Sequence, residues 1–146
     1  HAVPPAARAR VRMALREFGI PVSDECVLVD ELNEAGGQRM AAKLLDAGIG
    51  AVVFGHHDTA RGSLLYFQDQ RVRWPDDISV VMIGTPDWIG VLRPRITCIQ
   101  RPEHPMGEAA ARLLLKCLRD VDAPVEEIVL DSVVLAGDSV RRIAAA

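Results

Sequence analysis

The run Ala51-Val52-Val53-Phe54 is followed by the turn Gly55-His56-His57-Asp58-Thr59-Ala60. After a helical segment comes Trp74-Pro75-Asp76-Asp77-Ile78-Ser79-Val80-Val81-Met82-Ile83-Gly84. Four apolar residues, a polar turn, a helix and a second apolar run make one βαβ unit, the module of a parallel sheet. Such sheets bind ligands beyond the carboxyl ends of their strands. His57, Asp58 and the residues around Gly84 therefore fall where a site belongs.

Outward from this unit, residues 6–18 read as a helix, with Val11, Ala14, Leu15 and Phe18 at helical spacing and Gly19 and Pro21 as the stop. Residues 26–29 read as a short buried strand. Residues 34–47 read as a second helix, with Met40, Ala41, Leu44 and Leu45 on one face and Gly48 after it. The helix of the central unit is placed at 59–70, carrying Leu64, Leu65 and Phe67, and its second strand at 78–83. An αβαβαβ rhythm with short connections predicts an α/β fold, a parallel βαβ sheet with helices on both faces. Past Gly84 the rhythm changes. Residues 85–94 read as an irregular loop, 96–99 as a strand, and 105–120 as a helix with Met106, Ala109, Ala110, Leu113, Leu114 and Cys117 on its apolar face. Residues 128–130 and 133–135 read as closing strands.

The 146 residues suffice for one domain with a real core. With 49% hydrophobic and 25% charged residues the chain has the balance of an ordinary globular protein, and its apolar runs are too short for a membrane span. A net charge of −3 argues against a nucleic-acid surface. Arg8, Arg10, Arg12 and Arg16 spread around most of their helix and read as a solvated face. No charged-then-apolar secretory layout opens the chain. Cys26, Cys98 and Cys117 are odd in number and unpaired by spacing, which fits small buried thiols in a reduced, cytoplasmic protein.

Asp58 suits the capping of a helix start, and His57 suits a place in the cleft. A metal reading of His56, His57 and Asp58 is weak, because neighbours on an extended chain point to opposite sides. Ser63 lacks the Gly-x-Ser-x-Gly elbow, and Gly36-Gly37 makes no phosphate fingerprint. Asp76 and Asp77 follow Pro75 in a turn and read as loop support. No catalytic residue, metal or cofactor is expected, and the chain reads as a non-enzyme. Trp88 and Ile89, in a loop between prolines, fit a rim or an interface.

Four stretches carry a resemblance to the effector-binding domain of the LacI/GalR family of bacterial transcription regulators. They are Ala51-Val52-Val53-Phe54 with His57-Asp58-Thr59-Ala60-Arg61-Gly62; Val72 to Val81 with its Pro75-Asp76-Asp77-Ile78-Ser79 centre; Arg93-Pro94-Arg95-Ile96-Thr97 with Gln100-Arg101-Pro102; and Met106-Gly107-Glu108-Ala109-Ala110 with Leu114. The resemblance implies half of a periplasmic-binding-protein-like type I fold. Residues 5–96 and 122–140 would form the C-terminal subdomain, 97–121 would cross into a missing N-terminal subdomain, and the DNA-binding head is absent. It implies an effector-sensing and dimerisation part of a repressor that responds to a small molecule, with DNA reached only through the missing head. The alternative is a periplasmic-type sugar-binding protein of a transport system.

The family's effector contacts, carried across by position, land on unusual residues. The helix arginine falls near Ala7 with Arg8 adjacent, the stacking aromatic at Leu32, and the asparagine at His57 beside Asp58. The carboxylate falls at Gly84, with Asp87 three residues on. Glycine cannot grip vicinal hydroxyls, so the resemblance implies either a ligand other than the ordinary sugar or purine, such as a more apolar one, or a member that has lost effector response. By the same resemblance Leu64, Phe67, Gln68, Trp88 and Ile89 are interface candidates for a homodimer or higher oligomer. The competing reading of Leu64, Phe67 and Gln68 is that they cover the sheet.

Overall fold

The computed structural model describes residues 5–20, 27–120 and 124–142. In chain order the elements are α1 (Pro5–Glu17), α2 (Glu34–Asp46), β1 (Ala51–Phe54), α3 (His57–Asp69), β2 (Ser79–Ile83), a 3-10 helix (Asp87–Val91), β3 (Thr97–Gln100), α4 (Glu103–Arg119) and β4 (Val133–Leu135). The strands form one sheet in the order β1-β2-β3-β4. The first three run parallel and β4 pairs antiparallel with β3. Phe54 stands beside Met82, Met82 beside Cys98, and Cys98 beside Leu135, so one pleat face carries the large apolar side chains.

That face is the core. Phe54, Val80, Met82, Ile96 and Cys98 are buried together with Ala60, Leu64 and Phe67 of α3, while α2 adds Ala41. Leu64 and Phe67 are thus core residues, exposed by only 4% and 0%. The interface expectation for these two is corrected, because helical spacing turns them onto the sheet and leaves Leu65 and Gln68 outward. Burial in this apolar layer also pushes the Cys98 thiol up from its ordinary range.

The parallel βαβ sheet is as expected, but its helical cover differs. β2 and β3 are joined through a loop holding only the 3-10 helix, so no second crossover helix reaches the opposite face. On that face Val53 is 60% exposed and Val81, Ile83 and Ile99 are half-buried. α1 makes no extensive contact with another described element, and the same holds for α4. Met106, Leu114, Leu115 and Leu118 of α4 consequently lie exposed. Cys117 is exposed as well, not buried as expected, and Cys26 lies outside the described residues.

Two strand assignments change, and a third strand keeps its character but not its expected place. Residues 27–29 and 128–130 form no strand, since an apolar run becomes a strand only through a partner's ladder. Residues 97–100, expected to leave for another subdomain, form β3 and bond to β2 within this sheet. The tail closes the sheet in a way its composition does not announce. Val80 N–H donates to Ser139 O at 2.8 Å, and the Ser139 hydroxyl donates to Val80 O at 2.5 Å. Thr97 N–H donates to the same hydroxyl at 2.8 Å. Ser139 is fully buried, and around it Gly137 N–H donates to Thr97 Oγ1 and Arg141 N–H to Ser79 Oγ.

Ser139→Ala leaves the buried Val80 carbonyl and the half-buried Thr97 N–H without their partner. The expected loss is about 1–3 kcal/mol in urea denaturation, against no change for Ser132→Ala on the surface. Equal midpoints for the two variants would refute this role.

Candidate functional site

Three neighbouring parallel strands end at one edge, and each delivers a residue there. β1 leads through Gly55 and His56 to His57, the first residue of α3; β2 leads to Gly84; β3 leads to Arg101. Gly84 is buried and held at φ +97°, with its N–H donating to Ile99 O at 2.8 Å. A Cβ placed on Gly84 would sit 2.5 Å from His57 Nε2 and 3.6 Å from Arg101 Nη2. The imidazole therefore occupies the room that a side chain at position 84 would need. The positive φ selects glycine here, and a side chain would also have to turn the imidazole aside.

Arg101 Nη2 donates to Glu103 Oε1 at 3.0 Å, and its side chain is otherwise well exposed. Beside this corner lies a depression of about 280 Å³ lined in part by Thr85, Arg101, Glu103, His104 and Asp131.

Asp58 is elsewhere. α3 begins at His57, two residues earlier than expected, so His56 holds the N-cap position and makes no side-chain cap bond. Asp58 instead stands in the first helical turn, where its charge complements the helix dipole. It lies 3.7 Å from Arg61, which also pairs with Glu34. With Asn33, Glu34, Ala35 and Arg61 it lines an open depression of about 400 Å³. The true side-chain cap is Asn33 of α2, accepting from Gly36 N–H at 2.8 Å.

The remaining candidates scatter. Leu32 is half-buried in the turn before α2, and Asp87 is exposed at the start of the 3-10 helix. Neither lines the two depressions. The side chain of Arg8 lies outside the described residues. Trp88 and Ile89 are half-buried against the core, and Gln68 is exposed. Asp77 supports its turn as expected, accepting from Arg73 N–H at 2.8 Å, and the Arg73 guanidinium and that N–H hold its carboxyl below the usual range.

Two features escaped sequence reasoning. Arg101 follows its strand as His57 and Gly84 follow theirs, and that shared position was the signal available. Asp30 is held by the Arg39 guanidinium at 2.5 Å and by Glu31 N–H at 2.8 Å, which lowers its carboxyl to about 2. Nothing in the residue spacing announces that pair.

A family model described as periplasmic binding protein-like domain matches residues 3–140. Among curated proteins, the chain is similar to the HTH-type transcriptional regulator RegA of Clostridium saccharobutylicum, 28% identical over 76% of this chain and 35% of that protein. It is 34% identical to the HTH-type transcriptional regulator GalR of Escherichia coli K12, over 79% of this chain and 34% of that protein. The chain thus spans about a third of the length of the curated relatives it matches. Among solved structures it is similar to the transcription regulator CcpA of Lactococcus lactis, with TM-score 0.78, 25% identity and coverage of 90% of this chain and 48% of that one. It is also similar to a LacI family regulator from Enterococcus faecium solved with bound ribose, with TM-score 0.77, 25% identity and coverage of 94% and 53%.

Proposed function

The chain belongs to the periplasmic binding protein-like domain family, and from that premise we propose that it is the effector-sensing and dimerisation part of a LacI/GalR-type transcriptional regulator. The observation that carries this reading is the corner of His57, Gly84 and Arg101 at the carboxyl ends of three parallel strands, in a chain whose relatives are HTH-type regulators. The corner has polar donors and no nucleophile–base pair, so it is suited to holding a ligand and not to transforming one. A small molecule bound there would favour one closure angle of a two-walled cleft, and a dimer would pass that bias to DNA-reading heads. Residues 101–120 would cross to the second wall, which accounts for the exposed leucines of α4. The protein would act in the cytoplasm as a non-enzyme.

The first test is the coding sequence upstream. A helix-turn-helix segment is expected, whereas a signal peptide would overturn the reading in favour of a transport protein. The second concerns self-association. Leu65 is 42% exposed and Gln68 lies one turn away on the outer face of α3, with Trp88 and Ile89 as further contact candidates. Light scattering at high concentration is expected to give a dimer or larger species. A monomeric mass would count against the dimerisation role.

A further inference from the structure

We propose that the corner formed by His57, Gly84 and Arg101 is a site for a compact oxyanion, a carboxylate or phosphate group of the ligand. The inference rests on the effector-sensing reading and names the chemistry the effector must bring. It begins with the interlock between positions 57 and 84. His57 Nε2 sits 2.5 Å from the point where any Cβ at 84 would lie, so a side chain at 84 would have to turn the imidazole aside and also adopt a backbone held at φ +97°. Position 84 carries no side chain, and that edge of the sheet offers bare backbone beside the imidazole.

The side chains nearest this edge are His57 and Arg101. Arg101 brings a guanidinium to within 3.6 Å of the same point, and His57 Nε2 donates a hydrogen bond when it carries the ring proton. Glu103 accepts from Arg101 through Nη2. That pair is exposed on both sides, 46% and 67%, and exposed ion pairs contribute little. A ligand oxyanion can therefore take Glu103's place at low cost. Arginine's planar fork also matches a carboxylate or phosphate with two parallel hydrogen bonds. Asp131 also lines the depression, and His104 on its lining is paired with Glu108 at 3.2 Å. A neutral polyol brings no charge with which to displace Glu103 from the guanidinium.

Two-dimensional NMR of the full chain, reading the His57 ring protons, tests the assignment with inorganic phosphate, acetate and D-ribose titrated separately. Phosphate or acetate is expected to shift the ring resonances saturably, with D-ribose leaving them in place. The relative Kd values of the two anions say which oxyanion source the corner prefers. Arg101→Gln is expected to weaken anion binding about tenfold, with Arg101→Lys recovering part of it and the amide spectrum unchanged in both. A response to ribose alone overturns the inference and leaves the effector-sensing reading intact. So does anion binding that Arg101→Gln does not weaken. No response to any of the three overturns the inference, while the upstream coding sequence still judges the wider reading on its own.

Discussion

Gly62→Ala is expected to destabilise the fold by more than about 3 kcal/mol, at the upper end of what overpacking costs. A methyl group on Gly62 would be driven into the carbonyl carbon, oxygen and Cα of Glu34, all of them backbone atoms. A methyl on Gly37 would meet Thr59 O and Ser63 N, again backbone. α2 and α3 therefore touch through two glycines facing opposite ways across one contact. Ser63 fixes the contact by donating from its hydroxyl to Gly37 O at 2.8 Å. Flexible side chains could yield to an added methyl, but two helical backbones cannot without separating, and separation would open the core around Ala41 and Ala60. Gly107 of α4 is the control, since a Cβ there meets nothing within 4 Å. Gly107→Ala should be neutral or gain up to about 1 kcal/mol from helix propensity. Urea denaturation of the two variants separates these outcomes, and a Gly62→Ala protein as stable as its parent would show that the helices do not meet this way.

Phe67→Ala should cost about 3–5 kcal/mol, the range for emptying a fully buried aromatic site. Phe67 is 0% exposed and packs in the cluster with Phe54, Trp74, Ile78 and Val80. The measurement distinguishes two roles for one residue. If Phe67 is a core residue, its replacement lowers the unfolding free energy while the mass of the remaining folded protein is unchanged. An interface Phe67 would shift the association equilibrium and leave the unfolding of the monomer as it was. Gln68→Ala, on the exposed side of the same helix turn, should show the reverse pattern if that surface joins two copies.

The central βαβ unit was legible because every signal agreed across it. Residues 51–54 and 78–83 are apolar runs of strand length, the helix between them has 3.6-residue spacing, and β1 and β2 formed as expected with parallel pairing. The runs at 27–29 and 128–130 have the same local character and did not become strands. Composition cannot tell these cases apart, because a ladder belongs to two segments and its partner is named nowhere in the run. Leu64 and Phe67 failed for a related reason. Periodicity showed that they share an apolar face, yet which surface meets that face depends on where the sheet lies.

The site divides along the same line. The residue types at 57 and 84, their positions at strand ends, and the family stretches around them were all set by the sequence. That His57 fills the space over Gly84, with Arg101 alongside, is a fact of three strand ends brought together from residues far apart in the chain. The same holds for Ser139, an unremarkable serine in a polar tail whose backbone and hydroxyl join β2 to the start of β3. Local order is written in spacing and propensity, which neighbouring residues determine. Contact between distant segments depends on how whole elements pack, and only the tertiary structure decides it.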